Sequence, residues 1–177
     1  MGTISGLGLG EIETISGLGL GEIQKISGLG LGLIWEAVTF LPSGMDKSGS
    51  TYNINTSYGT VTGWVADTTN YPGSTLSGNG LVVQGGKSPA TVEASLRVSN
   101  GNASSVNCTL RLILNANTGS PLVTGSAVAV PGFSAANVTV STSSATLADG
   151  DVLTVQAVAG FSGLSTTAHA NSWLHIT

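Results

Sequence analysis

Four side chains able to do chemistry fall at every second position near the C-terminus: His169, Asn171, Trp173 and His175. On a regular strand all four share one face. Two histidines begin a metal site, and Trp173 between them could floor a sugar-binding face. The spacing argues against a metal held by one chain: six residues of extended backbone put the histidines about 20 Å apart. No acidic third ligand stands beside them. Three copies of one histidine on a threefold axis would remove that objection, while hydrogen-bonded strand histidines need no metal at all. Asp149-Gly150-Asp151 offers carboxylates suited to calcium, but the same residues make a tight turn. Tyr52, Tyr58, Trp64 and Tyr71 stand among Asn53, Asn55, Thr56 and Ser57. Aromatic rings among amides and hydroxyls suit a host-surface glycan, but packing at a subunit interface or as a roof over the sandwich is the favoured reading.

Other catalytic patterns are missing from the sequence. It contains no nucleophile elbow, metalloprotease motif or phosphate loop. Gly6-x-Gly8-x-Gly10 imitates a dinucleotide loop, yet it recurs three times without a βαβ unit around it. Charged residues are 8% of the chain, so a paired-carboxylate site has little to be built from. The expectation is a non-enzyme that needs no cofactor and no metal. The net charge of −4 and five scattered cations (Lys25, Lys47, Lys87, Arg97 and Arg111) speak against nucleic acid. No apolar run reaches the roughly 18 residues of a membrane helix, and no basic and apolar leader follows Met1.

The elements that would position these groups begin with an eleven-residue repeat: Thr3–Glu13, Thr14–Gln24 and Lys25–Trp35. Its apolar positions are Ile4, Leu7, Leu9, Ile12, Ile15, Leu18, Leu20, Ile23, Ile26, Leu29, Leu31 and Ile34. An eleven-residue period can drive a right-handed helical coil. Three glycines per repeat, at about 1 kcal/mol each relative to alanine, weigh against a helix. Leu-Gly-Leu-Gly fits a short strand with leucines on one face, and Ser-Gly before it fits a bend. One such ribbon cannot bury its own leucines, whereas three around a common axis can. The leading expectation is an intertwined trimeric stalk over residues 1–35; a glycine-packed bundle and an arm ordered by a partner are the alternatives. Residues 36–44 read as a linker.

Residues 45–177 carry short apolar runs divided by Gly, Asn, Pro and Asp, the spacing of an all-β sandwich. The expected strands are Thr60–Ala66, Gly80–Gln84, Ala90–Val98, Val106–Asn115, Leu122–Val130, Ala136–Ser141, Val152–Val158 and Thr166–Ile176. Val92, Ala94, Leu96 and Val98 oppose Thr91, Glu93, Ser95 and Arg97. Val106, Cys108, Leu110, Leu112 and Leu114 oppose Asn107, Thr109, Arg111, Ile113 and Asn115. The lone Cys108 therefore reads as a buried thiol.

Ala90–Val98, Asp149-Gly150-Asp151-Val152-Leu153-Thr154-Val155 and Ser172-Trp173-Leu174-His175-Ile176 resemble, in that order, three strands of the tumour necrosis factor and complement globular-head superfamily. The usual small residue of the closing strand is absent. The resemblance implies a jelly roll that assembles as a homotrimer. A glycine-rich repeat joined to such a head also resembles bacteriophage virion proteins of fibre, minor tail or head-decoration type. That resemblance implies a structural virion protein made without a signal peptide, its repeat docked on other virion proteins and its head exposed. A glycan-binding adhesin is the alternative.

Overall fold

The computed structural model describes residues 25–28, 32–36, 38–161 and 166–177, and it divides the chain into two compact units, Met1–Thr39 and Phe40–Thr177. In the first unit, β1 (Lys25–Gly28) pairs antiparallel with β2 (Gly32–Glu36). Ile26 lies opposite Trp35 and Ser27 opposite Leu33, so Ile34 is the extra residue of a bulge. Ser27-Gly28, expected to bend, is strand. Ile4, Leu7, Leu9, Ile12, Ile15, Leu18, Leu20, Ile23, Leu29 and Leu31 lie outside the described residues.

The second unit is a two-sheet antiparallel sandwich, as the apolar alternation leads one to expect. Its strands are β3 (Ser43–Lys47), β4 (Tyr52–Asn53), β5 (Gly59–Thr60), β6 (Trp64–Ala66), β7 (Leu76–Ser77), β8 (Gly80–Val82) and β9 (Lys87–Asn100). Then come β10 (Val106–Leu114), β11 (Val123–Thr124), β12 (Val128–Val130), β13 (Ser134–Leu147), β14 (Val152–Ala159), β15 (Thr166–Ala168) and β16 (Trp173–Ile176). The front sheet runs β4-β15-β9-β16-β3-β6, with β13 along the other edge of β9. The back sheet runs β11-β10-β14-β8-β7, with β12 on β10 and β5 on β14. Leu96 and Val98 from β9, Val138 from β13 and Leu174 from β16 meet Leu110, Leu112, Leu153 and Val155 of the back sheet, all fully buried. Cys108 is buried among them, and burial pushes its thiol up to about 11. Ile113, which the alternation places outward, is also fully buried, so β10 is covered on both faces there.

Three departures from the expected strands share one cause: a residue that leaves the pleat. Thr60–Ala66 is two strands, because Gly63 at φ +82° turns the chain from β14 of the back sheet to β3 of the front sheet. Leu122–Val130 is two strands, because the register against β10 slips by one residue between Thr124, opposite Arg111, and Val128, opposite Cys108. Thr166–Ile176 is broken at Asn171, which is left-handed at φ +64°. There the Arg97 N–H donates to Ser172 Oγ at 2.9 Å, and that hydroxyl donates to the His169 carbonyl at 2.7 Å. β3 also takes in Ser43 and Gly44, placed in the linker on sequence, because both pair with β16.

Candidate functional site

β16 is wedged between β9 and β3, so its alternation is read by two neighbours at once. Leu174 and Ile176 enter the core, while Trp173 and His175 stand on the outer face of the front sheet. Trp173 lies between Ser95 and Asp46, and His175 between Glu93 and Gly44. The indole and imidazole stack with centroids 4.4 Å apart and planes 12° apart. Tyr71 closes the cluster, tilted 41° to His175 at 4.8 Å.

Gly44 is the seat of that arrangement. A Cβ there would stand 2.8 Å from Tyr71 Cε2 and 3.0 Å from His175 Cδ2, so only hydrogen leaves room for both rings. The Gly44 carbonyl accepts the Asp67 N–H at 2.9 Å, and its N–H donates to Ser74 Oγ at 2.8 Å. The loop carrying Tyr71 is thereby pinned at both ends. Inside it, the Asp67 carboxylate accepts the Asn70 N–H at 3.0 Å, the Asn70 side-chain amide at 2.9 Å and the Thr69 N–H at 3.2 Å. The bonds from Asn70, backbone first, hold that carboxyl below its usual range. Asp46 is shifted the other way, by burial and then by the Asp67 charge.

Burial pushes His175 below the ordinary histidine value, against the opposing pull of Asp46, Asp67 and Glu93. The unfolded chain then binds a proton near pH 6.5 that the folded chain takes up only at lower pH. Stability is therefore expected to fall as pH drops through 6.5 toward the depressed folded value. Thermal unfolding followed from pH 8 to pH 5 should show this slope, and His175→Gln should flatten it. A steeper slope in the variant would contradict the assignment.

The four aromatics proposed for ligand contact do not form one site. Trp64 is 7% exposed and its indole N–H donates to the Val61 carbonyl at 2.8 Å, so it is a core residue with its polar atom satisfied internally. Tyr52 packs against the core, and burial raises its phenol. The Tyr58 ring lies under the Arg111 guanidinium at 4.0 Å, on the outer face of the back sheet. Only Tyr71 joins the front-sheet cluster. The two histidines are also apart in role: His169 Nε2 sits 2.6 Å from Ser99 Oγ and 2.8 Å from Thr167 Oγ1, away from the Trp173–His175 stack. Asp149 accepts the Gly85 N–H at 2.7 Å, and Asp151 accepts the Ala148 N–H at 2.8 Å and the Asn115 side-chain amide at 2.7 Å. Both carboxylates are thus committed to the turns they stand in. Among the described residues, no three His, Cys, Asp or Glu side chains converge to hold a metal ion.

Around the stack the outer face mixes small hydroxyls with charge: Ser95, Thr139 and Ser141 stand in neighbouring rows, and Asp46, Glu93 and Arg97 are exposed beside them. Val65 of β6, across from Asp46, is 47% exposed. Such a face can pack against another protein surface.

No protein-family model matches the sequence, and no curated protein matches it. Solved structures do. A structure of the Eiger tumour necrosis factor from S. frugiperda is similar at a TM-score of 0.52 and 13% identity, over 77% of this chain and 90% of that one. Murine APRIL at pH 5.0 gives 0.46 and 13%, over 78% and 98%. At pH 8.5 it gives 0.45 and 11%, over 76% and 97%. The likeness to the Eiger structure, at 13% identity, shows the fold alone, a jelly-roll sandwich of the tumour necrosis factor type.

Proposed function

We propose that this chain is a non-catalytic structural protein of a bacteriophage particle. In this reading three copies assemble through the outer face of the front sheet, the N-terminal repeat docks on other virion proteins, and the sandwich is the exposed knob of a tail or capsid. The observation that carries it is the face built on Trp173, His175, Tyr71 and Val65: half-buried rings and an exposed valine beside the hydroxyls of Ser95, Thr139 and Ser141. Burying that face against further copies removes apolar surface from water, and it requires Asp46, Glu93 and Arg97 to stay at the solvated rim or to be paired across the interface. The eleven-residue repeat supports the rest, since its leucines and isoleucines need neighbouring chains to cover them. The reading calls on neither nucleic acid nor membrane. Electron microscopy of purified particles with a labelled antibody to the sandwich tests it. Label at a regular position on tail or capsid is expected, and particles that lack the protein by mass spectrometry would overturn it.

A further inference from the structure

Phe133 combines two unfavourable features. Its ring is 76% exposed, and its backbone is left-handed at φ +49°, a region that bulky residues avoid. A single exposed phenylalanine is ordinary, but one also held in a strained backbone by a buried polar hub is not. The hub is Asn100, 2% exposed, at the end of β9. Its side-chain amide donates to the carbonyls of Ser104 at 2.8 Å, Val130 at 3.0 Å and Pro131 at 3.3 Å. Its Oδ1 accepts the Asn102 N–H and the Asn102 side-chain amide, both at 2.9 Å. The Asn102 carbonyl in turn accepts the Phe133 N–H at 3.0 Å, and Gly132 packs directly on the Ala103 carbonyl. Two loops are locked together, and the lock aims a phenyl ring at solvent.

The ring borders an open cleft of about 490 Å³ lined by Ser99, Asn100, Gly101, Ser134 and Ala135. None of these carries a charge. The Ser99 hydroxyl is fixed by Thr167 Oγ1 at 2.8 Å and His169 Nε2 at 2.6 Å. An exposed aromatic face beside the Ser99 and Ser134 hydroxyls, with no charge in the lining, matches a ligand with an apolar flat side and neutral hydroxyls at its edge. We propose that Phe133 and this cleft form a binding site for a neutral saccharide. Sialylated or sulfated sugars would find no cation in the lining, and a second copy of this chain would find only one ring to bury.

The site goes beyond the structural role above and stands or falls apart from where the protein sits on a particle. The test is an array of neutral hexose and N-acetylhexosamine oligosaccharides, printed beside sialylated and sulfated ones and probed with the full chain. Retention of neutral oligosaccharides is expected. Phe133→Gly removes the ring while suiting the left-handed backbone, so it should keep or raise the thermal midpoint and keep the oligomeric mass, yet weaken binding about tenfold or more. Phe133→Trp should retain binding. Absence of any neutral ligand, binding confined to acidic sugars, or undiminished binding by Phe133→Gly would each overturn the proposal. So would a fall in oligomeric mass in Phe133→Gly, which would assign the ring to a second copy.

Discussion

Leu110→Ala is expected to lower the free energy of unfolding by about 3–5 kcal/mol. Leu110 is fully buried at the centre of β10, opposite Ala157 of β14, and its carbonyl accepts the Gly125 N–H at 2.9 Å. Its strand is tied on both sides, so the backbone cannot close onto the space the side chain leaves. The loss is then the transfer free energy of the removed methyls plus the cavity. Single domains commonly have about 5–15 kcal/mol in total, so this change removes a large share. Urea denaturation of the full chain measures it, with Asn107→Ala on the exposed side of the same strand as a control expected within about 0.5 kcal/mol of wild type. A loss below about 1 kcal/mol at Leu110 would mean that the two sheets do not pack through β10.

Asn100→Leu should cost about 2–4 kcal/mol although it exchanges side chains of similar size. The substitution takes the Asn100 amide from the carbonyls of Ser104 and Pro131 and from the N–H of Asn102, and leaves the Val130 carbonyl only the Ser105 hydroxyl at 3.3 Å. A buried polar network punishes partial removal more than its average bond strength suggests, because each orphaned group keeps its desolvation cost. Denaturation gives the total. Hydrogen exchange gives its location, with faster exchange expected at the Asn102 and Phe133 amides and little change in β16. Uniform acceleration through both sheets would indicate a general packing role instead.

These two residues mark where the fold was readable in the amino-acid order and where it was not. Leu110 lies in an uninterrupted alternation, and β9 and β10 follow their patterns because each has one face on the core. β3 was missed: Ser43-Gly44-Met45-Asp46-Lys47 has no apolar alternation, and it becomes strand because it fills the edge between β16 and β6. Trp64 shows how a local polar setting can mislead. Its polar neighbours made a ligand contact possible, but Gly63 swings the ring into the core, where Val61 satisfies its indole. The Tyr71–His175–Trp173 cluster joins residues about a hundred positions apart, and only Trp173 and His175 carried a local signal, their spacing of two. Phe133 had a fainter one, an aromatic directly after Pro131-Gly132 between two strands. Asn100 had none, since its partners come from two loops brought together by folding.

The molar mass of the full chain in solution tests the trimeric assembly most directly. Each chain is 17.6 kDa, so light scattering at micromolar concentration should give about 53 kDa, the mass of a closed trimer. A chain starting at Leu41 should dissociate at higher concentration than the full chain, having lost the repeat. A full-length protein that scatters as a 17.6 kDa monomer would contradict the trimer, and with it the role assigned to the front-sheet face.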